Sequence, residues 1–247
     1  MPTITDEALC IRHWDWSETS QTVSLFTRDH GLIRALAKGA KRDNAPFSGG
    51  VELLTRGHVV AIVKPSSELA TLASWDLAEL FPGVRTRLRS FYAGMYIADL
   101  LQRLVHDSDP HPGMYDAALA SLRALSDHAD PDACLAFAQW WLIVDAGYKP
   151  NLEIPGAPGP MPATFTFAPR SGGLVSQPPT DGSPAWGVRS TTVARLRELD
   201  AAGPMSPIPP TSESLSRAAR LLAGYLRELM GTGLPSQDLV FAGPRSG

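Results

Sequence analysis

The sequence changes its hydrophobic period at Pro82-Gly83, and that change most constrains what the chain can fold into. Upstream, apolar and polar residues alternate in short runs, the period of half-buried strands. Downstream, apolar residues recur at helical spacing. The expected class is therefore α+β, with a β domain over residues 1–80 and helices after it.

Within the first third, Glu7 to Trp14 alternates so that Leu9, Ile11 and His13 share one face and Ala8, Cys10, Arg12 and Trp14 the other. Gln21 to Thr27 follows, then a turn at Asp29-His30-Gly31. Leu32 to Ala40 places Leu32, Arg34, Leu36 and Lys38 on one face. After a polar connector come Val51 to Thr55, His58 to Lys64 and Ala70 to Leu77. Around five short strands in about 80 residues fit an OB-type barrel.

From Val84 to Val105 the spacing predicts one helix. Two more follow, each opened by a proline, Pro112 and Pro131, the latter behind Asp130 as N-cap. Gly147 suits the position just past a helix end. Asn151 to Gly187 is rich in Pro and Gly with one β-like piece, Thr164 to Phe167. Ser190 to Leu199 and the amphipathic Glu213 to Met230 complete the helices, and the tail from Phe241 is expected to fray. The helical domain is thus expected over 81–150 and 188–240, with a small insert at 151–187.

At 247 residues and a net charge of −3, no global attraction to a polyanion is expected, so any nucleic-acid face must come from uneven charge. No run of about 18 apolar residues spans a membrane, and Met1 to Glu7 lacks the pattern of a signal peptide. Cys10 and Cys134 read as buried thiols in a reducing compartment, with a disulfide as the alternative. The expected location is cytoplasmic.

The main charge asymmetry lies between Arg28 and Arg42, where Arg28, Arg34, Lys38, Lys41 and Arg42 face only Asp29. Arg12, Arg56 and Lys64 on neighbouring strands extend the patch. Cations in a groove hold phosphates, and aromatic rings stack bases. Phe26 and Trp14 read as core; Trp16 and Phe47, beside flexible residues, read as surface. The run His106 to His111 reads as a helix-capping loop rather than a metal site, and no Cys-x-x-Cys is present. No nucleophile elbow, phosphate loop, His-Glu-x-x-His or spaced carboxylate pair appears, so no enzyme, cofactor or metal is expected.

Ser24-Leu25-Phe26-Thr27-Arg28-Asp29-His30-Gly31-Leu32 and its continuation through Ala37-Lys38-Gly39-Ala40-Lys41-Arg42 resemble the N-terminal signature of the RecO family of recombinational DNA-repair mediators. Ala78 to Arg85, Asp145 to Leu152 and Phe167 to Leu174 resemble later family segments, in order along essentially the whole chain. The resemblance implies an OB-fold, a helical domain and a zinc-ribbon-like insert. It also implies binding of single- and double-stranded DNA, strand annealing, and a nucleoid-associated location. The implied partners are RecR, the acidic C-terminal tail of single-stranded DNA-binding protein and, indirectly, RecA. Arg28, Arg34, Lys38, Lys41 and Arg42 match the family's basic barrel positions.

One departure is plain. Many members carry four cysteines in the insert, and this chain has none there, so the insert is expected to be metal-free. Two readings stand side by side: a non-catalytic DNA-binding mediator, and a protein-interaction module whose barrel no longer binds DNA. For the second, Arg85, Arg87 and Arg89 are the candidate contacts for an acidic partner.

Overall fold

The computed structural model describes residues 2–42, 46–47, 50–63, 67–154 and 162–241. Five strands, β1 (Thr3–Asp15), β2 (Gln21–Thr27), β3 (Gly31–Ala37), β4 (Thr55–Ile62) and β5 (Ala70–Leu80), close a barrel in the order β1-β2-β3-β5-β4. All neighbours are antiparallel except β3 and β5, which meet in parallel. That is the OB-fold connectivity, and closure removes the open edges that would otherwise invite pairing with another chain.

The barrel interior combines small side chains, Ala8, Ala35, Ala37 and Ala61 among them, with branched residues such as Leu25 and Ile33 and the Trp75 ring. Gly57 lies against that ring: a Cβ there would sit 2.6 Å from the Trp75 indole and 2.7 Å from the Asp76 carbonyl oxygen. The expected strand Val51 to Thr55 is instead a connector, with Leu54 at positive φ. Val51 and Phe47 join the interior cluster, and the Val51 amide donates to Gln21 Oε1 at 3.1 Å. Phe47 is only 3% exposed, which corrects its expected place on the surface.

A bulge in β1 breaks the expected alternation. Cys10 pairs with Leu25 and Arg12 with Ser24, leaving Ile11 as the extra residue. Up to the bulge the alternation holds: Leu9 and Ile11 join the helical core, while Ala8 and Cys10 enter the barrel. Beyond the bulge Arg12 and Trp14 move to the outer face and His13 pairs across from the interior residue Val23. A strict period of two placed them the other way round.

Helix α1 (Pro82–Thr86) and α2 (Leu88–Leu104) replace the single helix expected from Val84. Arg87 between them is extended, and its guanidinium donates to the Leu125 carbonyl at 3.1 Å. Arg85 donates to the Leu53 carbonyl at 2.6 Å and Arg89 pairs with Asp132 at 2.8 Å. Each of these arginines is tied to its own fold, so the cluster proposed for an acidic partner is dispersed. Helices α3 (Pro112–Ser126) and α4 (Pro131–Asp145) follow. The Asp130 carboxylate accepts from the Asp132 and Ala133 amides as an N-cap, and Gly147 takes φ +81°.

Strands β6 (Thr164–Ala168), β7 (Gly173–Val175) and β8 (Trp186–Arg189) form a three-stranded sheet in the order β7-β6-β8. Phe165, Phe167, Leu174 and Val188 pack into the helical core, so burial of apolar side chains holds this sheet. A tetrathiolate zinc site does not fit the residues present: both cysteines lie elsewhere, buried and free. Burial pushes the Cys134 thiol up to about 12 and raises Cys10 further. Helices α5 (Ser190–Ala202) and α6 (Glu213–Met230) were expected, whereas α7 (Pro235–Phe241) was not. It returns to α2, with Phe241 edge-on to Tyr96 at 5.6 Å. The frayed tail was expected from Phe241 on; that residue ends α7, and 242–247 lie outside the described residues. No helix among the described residues is long and apolar enough to cross a membrane.

Candidate nucleic-acid interface

Cross-strand register lays out the outer barrel face in rows, because directly opposed residues share a face. The row Leu9–Phe26–Leu32 is buried in the helical core, with Phe26 and Tyr115 rings 5.9 Å apart. The next row is Arg12–Ser24–Arg34, and the one after it Trp14–Thr22–Leu36. The helices thus cover one end of this face and leave the other open.

At the open end, two loops meet. The β1–β2 hairpin turn closes by bonds from the Trp16 and Ser17 amides to the Ser20 carbonyl, at 2.9 and 3.2 Å. The loop after β3 is stitched to it: Gly39 N–H donates to Ser20 Oγ at 3.1 Å and Lys41 N–H to the Thr19 carbonyl at 3.1 Å. Gly39 takes φ +67°, the left-handed conformation that lets the chain turn there. Between the loops lies an open cavity of about 410 Å³, lined by Trp16, Ser20, Leu36, Lys38, Gly39 and Arg42. Trp16 is 64% exposed and Trp14 50%. The exposure of Trp14 corrects its reading as core; the bulge that rephased β1 turned it outward.

The basic residues do not gather as freely as the sequence suggested. Arg28 pairs with Asp116 at 2.9 Å, Arg34 with Asp107 at 2.5 Å and Lys41 with Asp15 at 2.6 Å. Arg12 pairs with Asp99 at 2.5 Å, and Arg56 with Glu7 at 2.8 Å and Glu79 at 3.6 Å. The hydrogen bonds they donate to Asp116, Asp107 and Glu7 hold the Arg28, Arg34 and Arg56 guanidiniums above their ordinary value, and the bond donated by Lys41 lowers Asp15.

The pairs differ in what they can still do. Asp99, almost fully buried, also accepts from Ser236 at 2.5 Å, so Arg12 belongs to the joint between barrel and helices. Arg56 is similarly enclosed between two carboxylates. These two read as structural ties, not as a phosphate face. Arg34–Asp107 and Lys41–Asp15 are exposed pairs, worth about 0.2–1 kcal/mol, and a phosphate can exchange for the carboxylate. Among the described residues, no carboxylate pairs with Lys38 or Arg42. Lys64 lies outside the described residues.

The loop at His106–His111 does not cap a helix as expected. His111 precedes α3 without a side-chain cap bond; it joins Asp145 at 2.9 Å and Asp109 at 3.2 Å. Asp107 bridges to Gly31 and Leu32 and so is delivered to Arg34 by the backbone. Among the described residues no group of three or more His, Cys, Asp or Glu is placed to hold a metal.

The closed barrel, its exposed aromatic and basic rim and its helical buttress define a class: OB-barrel proteins with an appended helical domain. Residues 1–81 match the family described as recombination protein O N terminal, and 85–238 match recombination protein O C terminal. The chain belongs to this RecO family. It is similar to the DNA repair protein RecO of Myxococcus xanthus, 30% identical over 95% of this chain and 96% of that protein. Similarity to the DNA repair protein RecO of Bacillus pumilus is 29% over 79% and 76% of the two chains. With the DNA repair protein RecO of Rhodopirellula baltica it is 42% over 47% and 43%, so that match spans less than half of either chain. Membership carries DNA repair, recombination and DNA binding as the family's field of action.

Proposed function

We propose that this chain is a non-catalytic mediator of recombinational repair that binds and anneals single-stranded DNA through the open rim of its barrel. In this role it helps load recombinase onto gaps coated by single-stranded DNA-binding protein. RecR, the acidic tail of that protein and, indirectly, RecA are its partners, and double-stranded DNA is a second ligand. The division of labour follows residues 1–80 for DNA, 81–150 with 188–240 for support, and 151–187 as a metal-free insert.

The observation that carries this reading is Trp16, exposed beside Lys38 and Arg42 in one cavity, with no carboxylate on either cation among the described residues. A base stacks on the indole while the cations take flanking phosphates and release condensed counterions. Arg34 and Lys41 join once phosphate replaces their aspartates, while Arg28, paired with Asp116 of α3 at the other end of β2, is a candidate contact away from this rim. Two neutralised strands held close anneal by base pairing alone, which needs no bond chemistry in the protein.

The test is a salt titration of a fluorescent oligothymidylate against wild type and the Lys38→Ala/Arg42→Ala variant. Single strands contribute about 0.7 to the salt slope per phosphate contact, so the variant should lose about 1.4 and bind more weakly across all sequences. Unchanged slope and affinity would remove these residues from the interface. The competing reading, a partner-binding module without DNA affinity, is favoured by the carboxylates already on Arg12, Arg28, Arg34, Lys41 and Arg56. It predicts no oligonucleotide binding by wild type even at low salt.

A further inference from the structure

Away from the barrel, α6 and the end of β8 enclose two cavities of about 410 and 460 Å³ that share Arg189 and Arg217 on their walls. Together they form one trough. Its walls carry Arg189, Arg217, Arg220 and Arg227. Arg217, Arg220 and Arg227 stand at spacings of three and seven residues along α6, so they share one helix face and span roughly 15 Å of axis. Trp186 and Leu221 supply an apolar floor, and the Trp186 ring is stacked on Phe167 with an interplanar angle of 2°.

Three features distinguish this trough, whose wall also carries Glu213. Arg217 is engaged by Glu213, but among the described residues no carboxylate pairs with Arg189, Arg220 or Arg227. That contrasts with the barrel, where most arginines are paired. Thr192, 2% exposed, lines the trough with its hydroxyl unpartnered. Gly224 brings α6 up to Trp186: a Cβ there would stand 3.3 Å from the ring, so a larger residue would crowd the floor.

We infer that this trough holds a second segment of single-stranded nucleic acid, separate from the one on the barrel rim. A row of guanidiniums longer than one carboxylate needs suits a backbone of repeating negative charge. Hydroxyls of Ser190, Thr191 and Ser214 continue the row, the mixture of Arg and Ser/Thr donors that phosphate oxygens take. The part-exposed Trp186 indole on the floor is the group a base would meet. The inference deepens the annealing role, which it rests on: one chain would hold two strands on two faces.

The experiment counts oligothymidylates bound per chain at low salt by sedimentation, for wild type and for Arg220→Glu/Arg227→Glu. Both side chains are exposed, so the exchange leaves the core intact. Wild type should bind two and the variant one, with the remaining site within about twofold of its original affinity. The Arg220→Lys/Arg227→Lys variant, which keeps charge but loses the planar fork, should fall between them. A variant that keeps wild-type stoichiometry overturns the inference. So does one that keeps it while losing affinity for an oligoglutamate peptide, a result that would assign the trough to an acidic protein segment. The barrel variant Lys38→Ala/Arg42→Ala separates the two claims: if it keeps both strands while the trough variant loses one, the rim reading fails and this one stands.

Discussion

Arg34 shows how a single residue can be read correctly from its strand position and still be incompletely understood. Its place on the outer face with Leu32 and Leu36 follows from the period of two, and the structure bears that out. Its partner does not follow from any local pattern, because Asp107 lies 73 residues away and reaches β3 through an isolated bridge. In the proposed interface the Asp107 carboxylate is the group a phosphate oxygen would have to displace from Arg34. Replacing it by Asn keeps the shape and removes the competing charge. We expect Asp107→Asn to raise affinity for single-stranded DNA by about two- to fivefold, the range of an exposed ion pair. Fluorescence anisotropy at fixed salt reads this directly. Weaker binding would mean that Asp107 positions Arg34 for DNA rather than competing with it.

Among the elements, most barrel strands were legible as short apolar runs bounded by turn residues, although Val51 to Thr55 was not one of them, and α4 because Asp130-Pro131 is a strong start signal. The β1 bulge was not legible: Ile11 and Leu9 are both apolar, and nothing in the run says that one residue is extra. That one residue moved Trp14 from the expected core to the surface and His13 inward. The break at Arg87 was hidden for a similar reason, since apolar spacing continues through it. Strand β4 carries a requirement that only the fold reveals. Gly57 is needed because Trp75 fills the space a Cβ would take. Gly57→Ala should cost about 1–3 kcal/mol by overpacking, read as a lower urea midpoint with an unchanged slope. No loss of stability would mean that the Trp75 ring has room to shift.

At the scale of the whole molecule, barrel and helices form a joined body. Leu9, Ile11, Phe26 and Leu32 belong to the same core as α2 and α3, and Arg12–Asp99–Ser236 ties β1 to α2 and α7. This junction also engages part of the basic patch expected from the sequence. Arg12 and Arg56 look like neighbours of the other cations along the strands, but the fold engages them with carboxylates, Arg12 with Asp99 of α2 and Arg56 with Glu7 and Glu79 of β1 and β5. Trp16, Lys38 and Arg42 stay in the open because they lie in the loops at the far end, and their juxtaposition was visible in sequence only as separate candidates. The chain's net charge of −3 then makes local geometry decisive: a slightly acidic molecule can hold polyphosphate only where cations escape their carboxylate neighbours.

The most direct test maps where a strand lies. An oligothymidylate carrying scattered 5-bromodeoxyuridine would be bound to the full chain, irradiated, and the adducts located by mass spectrometry. The account predicts adducts on the hairpin at Trp14 or Trp16, abolished by Lys38→Ala/Arg42→Ala. Saturated binding with no adduct between residues 14 and 20 would contradict it.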